Sequence, residues 1–170
     1  MRLKSFISHL FFILCLCSVQ TLLLNQISFL GYINPYLYIL FVLTYPAYES
    51  RFVLILLSFF MGWIIDYFMN TGGMHTFAIT LTAYLKRDVL RFITGKNIIT
   101  DDDFSLHEIS FIKKCSYTFL LTLIHYFSFF LLELFKISNF ETISSKTVLG
   151  AIFNTILSLI YLSFTEKNKS

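Results

Sequence analysis

Asp66 has the most unusual setting of the acidic residues in this chain. It stands in Gly62-Trp63-Ile64-Ile65-Asp66-Tyr67, within a run that is otherwise almost wholly apolar. A carboxyl group in such a run is costly to bury, so it marks a functional or helix-pairing position. Gly72, Gly73, Met74 and His75 follow shortly after, and the two glycines permit a tight reversal into another helix. Gly62 and Asp66 are four residues apart and share one helix face, so a neighbouring helix can approach at Gly62 while Asp66 finds a hydrogen-bond partner. Two readings of Asp66 follow. In one it caps the turn, accepting from backbone N–H groups at the start of the next helix. In the other it is a subunit contact or a polar ligand for a substrate.

Glu133 is the second carboxylate in an apolar run, with Lys136 three residues on. That spacing fits an ion pair snorkelling to the surface. His125 lies about two turns earlier and is expected to hydrogen-bond a neighbouring helix. Asn154, one turn after Gly150, points to another close helix contact. Acid-pair hydrolysis needs two carboxylates in proximity, and only Asp66 and Glu133 fall at similar depth. The chain carries no HExxH zinc pair, no GxSxG nucleophile elbow and no phosphate-binding glycine loop. Cys15, Cys17 and Cys115 are an odd count, and Cys15 and Cys17 face different sides of a helix, which argues against a shared metal. The reading is a non-enzymatic protein without cofactor or metal.

The elements that carry these residues are long apolar segments. The chain is 56% hydrophobic and 14% charged with a mean hydropathy of +0.73, whereas soluble domains are about a quarter charged. Six stretches, 6–24, 34–47, 52–69, 74–93, 115–135 and 147–164, approach the roughly 20 residues that cross a bilayer as a helix. The second is the shortest. The expected architecture is all-α: a polytopic bundle of six transmembrane helices forming one integral membrane domain over 1–170. With the N-terminus inside, eleven basic residues (Arg2, Lys4, Arg51, Lys86, Arg87, Arg91, Lys96, Lys113, Lys114, Lys167 and Lys169) fall on the cytoplasmic side, against Lys136 and Lys146 outside. Both termini are therefore expected in the cytoplasm.

Arg2 and Lys4 precede an apolar run like a signal peptide, but Cys17-Ser18-Val19-Gln20 offers no small-x-small cleavage site, so a retained anchor helix is expected. The net charge of +3 is spread over membrane-flanking loops rather than gathered in a patch, which points to anionic lipid headgroups and not to nucleic acid. The one substantial loop, 94–114, is cytoplasmic and carries Asp101-Asp102-Asp103, then Ser105 and Glu108 at capping-box spacing. It reads as an interfacial lead-in to the fifth span or as a docking surface for a cytoplasmic protein. Tyr32, Tyr36, Tyr38, Tyr45, Tyr48, Tyr67, Tyr117 and Tyr161 near span ends read as an interfacial belt.

Asn34-Pro35-Tyr36-Leu37-Tyr38-Ile39-Leu40, then Gly62 and Asp66, Gly73 at the turn, and Ala83-Tyr84-Leu85-Lys86-Arg87 together resemble the MreD family of bacterial rod-shape-determining membrane proteins. The resemblance covers the layout of the whole chain and, in detail, residues 34–87; from Asp101 onward little matches. It implies a multi-pass protein of the bacterial inner membrane that binds the shape protein MreC. The complex it implies is the cell-elongation machinery, with actin-like MreB, a glycan polymerase and a penicillin-binding transpeptidase, acting on cell shape and peptidoglycan synthesis. By carry-over, Pro35, Gly62, Asp66 and Gly73 are the positions expected to matter, with Asp66 pinning the bundle against a partner helix. The family's fold is similar to the substrate-binding subunits of energy-coupling-factor vitamin transporters. That similarity supplies a rival function, in which Asp66, His75 and Glu133 line an outward polar pocket for a small ligand.

Overall fold

The computed structural model describes residues 3–24, 34–95, 109–134 and 140–167. All regular structure among them is helical: α1 (Leu3–Leu22), α2 (Ile39–Thr44), α3 (Arg51–Met69), α4 (Met74–Thr94), α5 (Phe111–Leu134) and α6 (Phe140–Lys167). Arg51–Met69, Phe111–Glu133 and Ser144–Thr165 are long and apolar enough to cross a membrane, and α1 has a shorter apolar stretch, Ile7–Leu22.

The α3–α4 hairpin is closed by left-handed backbone. α3 ends at Asn70 (φ 53°), and the reversal uses Gly72 (φ 68°) and Gly73 (φ 96°), a conformation that costs a residue with a Cβ about 1–2 kcal/mol. α4 ends at Gly95, whose N–H donates to the Arg91 carbonyl, a glycine helix stop. Consecutive long helices pack α3 on α4, α4 on α5 and α5 on α6. Phe12 of α1 stacks on Tyr161 of α6, with ring centroids 6.3 Å apart.

The second stretch departs from expectation. A helix over 34–47 is replaced by α2, six residues long, which at about 1.5 Å per residue advances only about 9 Å. The cause is the pair of prolines at 35 and 46. Each lacks an N–H and disfavours helical backbone in the residue before it, and Tyr45, preceding Pro46, leaves the helix at ψ 131°. Residues 34–50 therefore form a mostly non-helical strut through the middle of the bundle. Ile39 through Leu43 are all buried.

The strut runs from one end of the bundle to the other. Its start is held by Gln20, near the end of α1, and its finish by Arg87. The end at Asn70–Gly73 is called here the turn end, and the end at Arg51 and Arg87 the arginine end.

Candidate functional site

Backbone buried without a regular hydrogen-bond ladder must find other partners, and in the strut four helices supply them. Gln20 of α1 donates to the Pro35 carbonyl (3.1 Å) and accepts from the Leu37 N–H (3.0 Å). Tyr126 of α5 donates to Asn34 O (2.8 Å) and Asn154 of α6 to Tyr36 O (3.2 Å). Tyr117 donates to Leu43 O (3.3 Å), while Lys86 and Arg87 of α4 donate to the carbonyls of Tyr45 and Glu49. Asn154 was expected at a helix contact, and its partner is the strut. Its neighbour Gly150 is equally constrained, since a Cβ there would lie 2.4 Å from the Tyr126 ring.

A polar triad sits where the strut passes between α4 and α5. The Tyr38 hydroxyl is 2.7 Å from His75 Nδ1 and 2.7 Å from His125 Nε2. All three residues are wholly buried. Tyr36 packs edge-on to both imidazoles, and Phe129 lies 4.6 Å from the His75 ring. The expected belt is corrected here: Tyr36, Tyr38, Tyr45 and Tyr117 are core residues, while Tyr48 and Tyr67 are exposed.

α4 and α5 face each other along a polar seam. His75 and His125 meet at Tyr38 near the turn end, while Lys86 and Tyr117 reach Tyr45 and Leu43 toward the arginine end, so the two helices are antiparallel. Between these points Thr82 and Thr118 are wholly buried. Thr122 meets Thr155 of α6 at 2.8 Å.

Asp66 caps α4 from the preceding helix. Gly73, in the cap position, has no side chain, and the carboxylate of Asp66 takes that role. Oδ1 accepts from the His75 N–H (3.0 Å) and the Thr71 hydroxyl (2.5 Å), and Oδ2 from the Thr76 N–H (2.8 Å) and hydroxyl (2.5 Å). His75 and Thr76 are the second and third residues of α4, whose N–H groups a cap normally serves. Close approach makes this reach possible, because a Cβ on Gly62 would lie 2.5 Å from Thr76 Cα.

Of the residues singled out in the sequence, Asp66 and His75 come together through backbone N–H and carboxylate. Glu133 is half-buried on α5, one turn beyond Phe129, and makes no hydrogen bond or ion pair among the described residues. Its proposed partner Lys136, the segment 25–33 and the acidic and capping-box residues 101–108 lie outside the described residues. Tyr38, Gln20, Tyr126 and Lys86 were not singled out as site residues. The available signal was Pro35 and Pro46 bracketing an apolar run too short for a helical span.

A groove of about 630 Å³ opens on the outer face between α3 and α4, lined by Ile55, Phe59 and Trp63 and by Gly73, Thr76, Phe77, Thr80, Leu81 and Tyr84. Its lining is apolar apart from the two threonines and the Tyr84 ring, and it includes neither Asp66, His75 nor Glu133. The chain matches no protein-family model, no curated protein and no solved structure.

Proposed function

We propose that this chain is a non-enzymatic scaffold of the bacterial inner membrane that binds an MreC-like partner within the cell-elongation machinery. An MreB-like filament, a glycan polymerase and a penicillin-binding transpeptidase are the associated components, and cell shape and peptidoglycan synthesis are the processes served. Both termini are cytoplasmic in this reading, which rests on the basic-residue asymmetry.

Membrane embedding is supported by an inverted distribution of side chains. Phe52, Phe60, Trp63, Phe68, Phe77 and Phe92 are exposed, while Gln20, Thr82, Lys86, Thr118, His125 and Asn154 are buried. A soluble domain keeps exposed apolar patches small and buried charges paired. A bundle in lipid turns its polar groups inward.

The observation that carries the scaffold reading over a transporter subunit is the state of Asp66. Its two oxygens accept four hydrogen bonds from this chain, and His75 Nδ1 is engaged by Tyr38. A ligand pocket needs convergent polar groups free to meet a ligand. In this reading the resemblance to energy-coupling-factor subunits carries an expectation of architecture and not of substrate binding.

The test is affinity capture of the full chain from bacterial membranes in mild detergent, with bound proteins identified by mass spectrometry. An MreC-like protein is expected. Recovery of transporter ATPase subunits, or a rise in melting temperature with a vitamin, would overturn the reading.

A further inference from the structure

The α3–α4 groove ends in charge. Ile55 and Tyr84 line its arginine end, and the Arg51 guanidinium lies 4.3 Å over the Tyr84 ring. Arg51 donates to Asp88 Oδ2 at 2.8 Å and to the Tyr84 carbonyl. Arg51 and Arg91 are both within Coulombic reach of Arg87, and Arg87 donates to the carbonyl of Glu49. Arg91 Nε is buried without a hydrogen-bond partner among the described residues. Three guanidiniums thus gather near two carboxylates, Asp88, half-exposed and paired with Arg51, and Glu49, paired with His9. Arg51, Arg87 and Arg91 against Glu49 and Asp88 leave one positive charge in surplus where α3 begins.

The apolar part has the dimensions of a lipid tail. From Gly73 to Tyr84 the groove follows α4 for about 16 Å at roughly 1.5 Å per residue, close to half of a hydrocarbon core about 30 Å thick. Its walls are Phe59, Trp63, Phe77 and Leu81, and its floor carries Thr76 and Thr80. A tail there has its phosphate at the Arg51 end, with Arg91 about one helix turn beyond Asp88 on α4, at the level where tyrosine and arginine mark the headgroup boundary.

We propose that this groove is a binding site for one anionic phospholipid, with an acyl chain between α3 and α4 and the phosphate held by Arg51 and Arg91. The phosphate competes with Asp88 for Arg51, so the Arg51–Asp88 pair loosens when the lipid is bound. The inference rests on the membrane reading and goes beyond the scaffold role.

The full chain in mild detergent is offered equimolar phosphatidylglycerol and phosphatidylcholine, and bound lipid is counted by native mass spectrometry. Wild type is expected to retain phosphatidylglycerol by about tenfold over phosphatidylcholine. Arg91→Gln, which removes no described hydrogen bond, is expected to lower that preference several-fold, and the double variant R51Q/R91Q to bring it within about twofold of parity. Thr80→Trp, which fills the groove, is expected to reduce retention of both lipids. Equal retention by wild type, or a preference unchanged in Arg91→Gln and the double variant, overturns the proposal. So does a Thr80→Trp protein that keeps its lipid but loses a single-span partner, since the groove would then seat a helix. Extraction of the chain from membranes by alkaline carbonate would instead defeat the membrane reading itself.

Discussion

The Tyr38 hydroxyl stands 2.7 Å from Nδ1 of His75, and the same oxygen is 2.7 Å from Nε2 of His125. Tyrosine has one proton to donate. With both imidazoles neutral, one must accept that proton while the other donates its own N–H to the tyrosine oxygen. The triad therefore fixes the two histidines in complementary tautomer roles. Tyr38→Phe keeps the ring and leaves both nitrogens without a partner in the core, at a cost of roughly 2 kcal/mol or more. Thermal unfolding in mild detergent should show the loss, and an unchanged midpoint would mean that the hydroxyl is not shared.

Asp66→Ala should loosen the beginning of α4 in particular. It strips acceptors from the His75 and Thr76 N–H groups and removes a negative charge from a helix N-terminus, a loss of about 2–4 kcal/mol. Amide hydrogen exchange at residues 75 and 76 is expected to accelerate far more than exchange in the middle of α5. Uniform acceleration would show that the carboxylate acts elsewhere.

Glycines 62 and 73 are expected to fail for different reasons. Alanine at 62 drives a methyl into the α4 backbone, 2.5 Å from Thr76 Cα, and the helices must separate, at about 1–3 kcal/mol. Alanine at 73 meets nothing within 4 Å, but the backbone there has φ 96°, a strain of about 1–2 kcal/mol. Serine should behave like alanine at 62, whereas asparagine at 73 should recover part of the loss, because it tolerates left-handed backbone. Denaturation midpoints of the four variants check this.

Gln20→Leu preserves volume and removes both strut bonds of that side chain, orphaning the Pro35 carbonyl and Leu37 N–H. The expected loss is about 2–4 kcal/mol, because two buried main-chain groups are left without partners. Thr21→Val, one residue on, breaks only a bond to its own helix at Cys17 and should cost much less. Similar midpoints for the two variants would contradict the role given to the strut.

Helix positions were legible wherever an apolar run had clear ends. α3 was read at 52–69 and lies at Arg51–Met69, and α4 was read at 74–93 and lies at Met74–Thr94, because glycines mark the turn. The strut was hidden because hydropathy measures burial in apolar surroundings, not the conformation of the buried backbone. Its tyrosines read as interfacial for the same reason: an amphipathic ring satisfies its hydroxyl equally well at a headgroup or against a core histidine. Asp66 reads either as a cap accepting from backbone N–H groups at the start of the next helix or as a subunit or ligand contact. Its carboxylate accepts from the His75 and Thr76 N–H groups as in the first reading. Spacing alone does not choose between them, because the reach depends on how closely α4 approaches. Gln20 and Tyr126 gave no signal, since a lone amide or phenol in an apolar run has no spacing partner to reveal it.

The strut also sets an order of biogenesis. It is synthesised second, but the groups that receive the carbonyls of Asn34, Tyr36 and Leu43 belong to Tyr126, Asn154 and Tyr117, which leave the ribosome last. A nascent chain ending near Gly95 would lack the Tyr126, Asn154 and Tyr117 donors. The contacts of the strut with α1 and α4 are available first, and its native interior is complete only once the last two helices arrive.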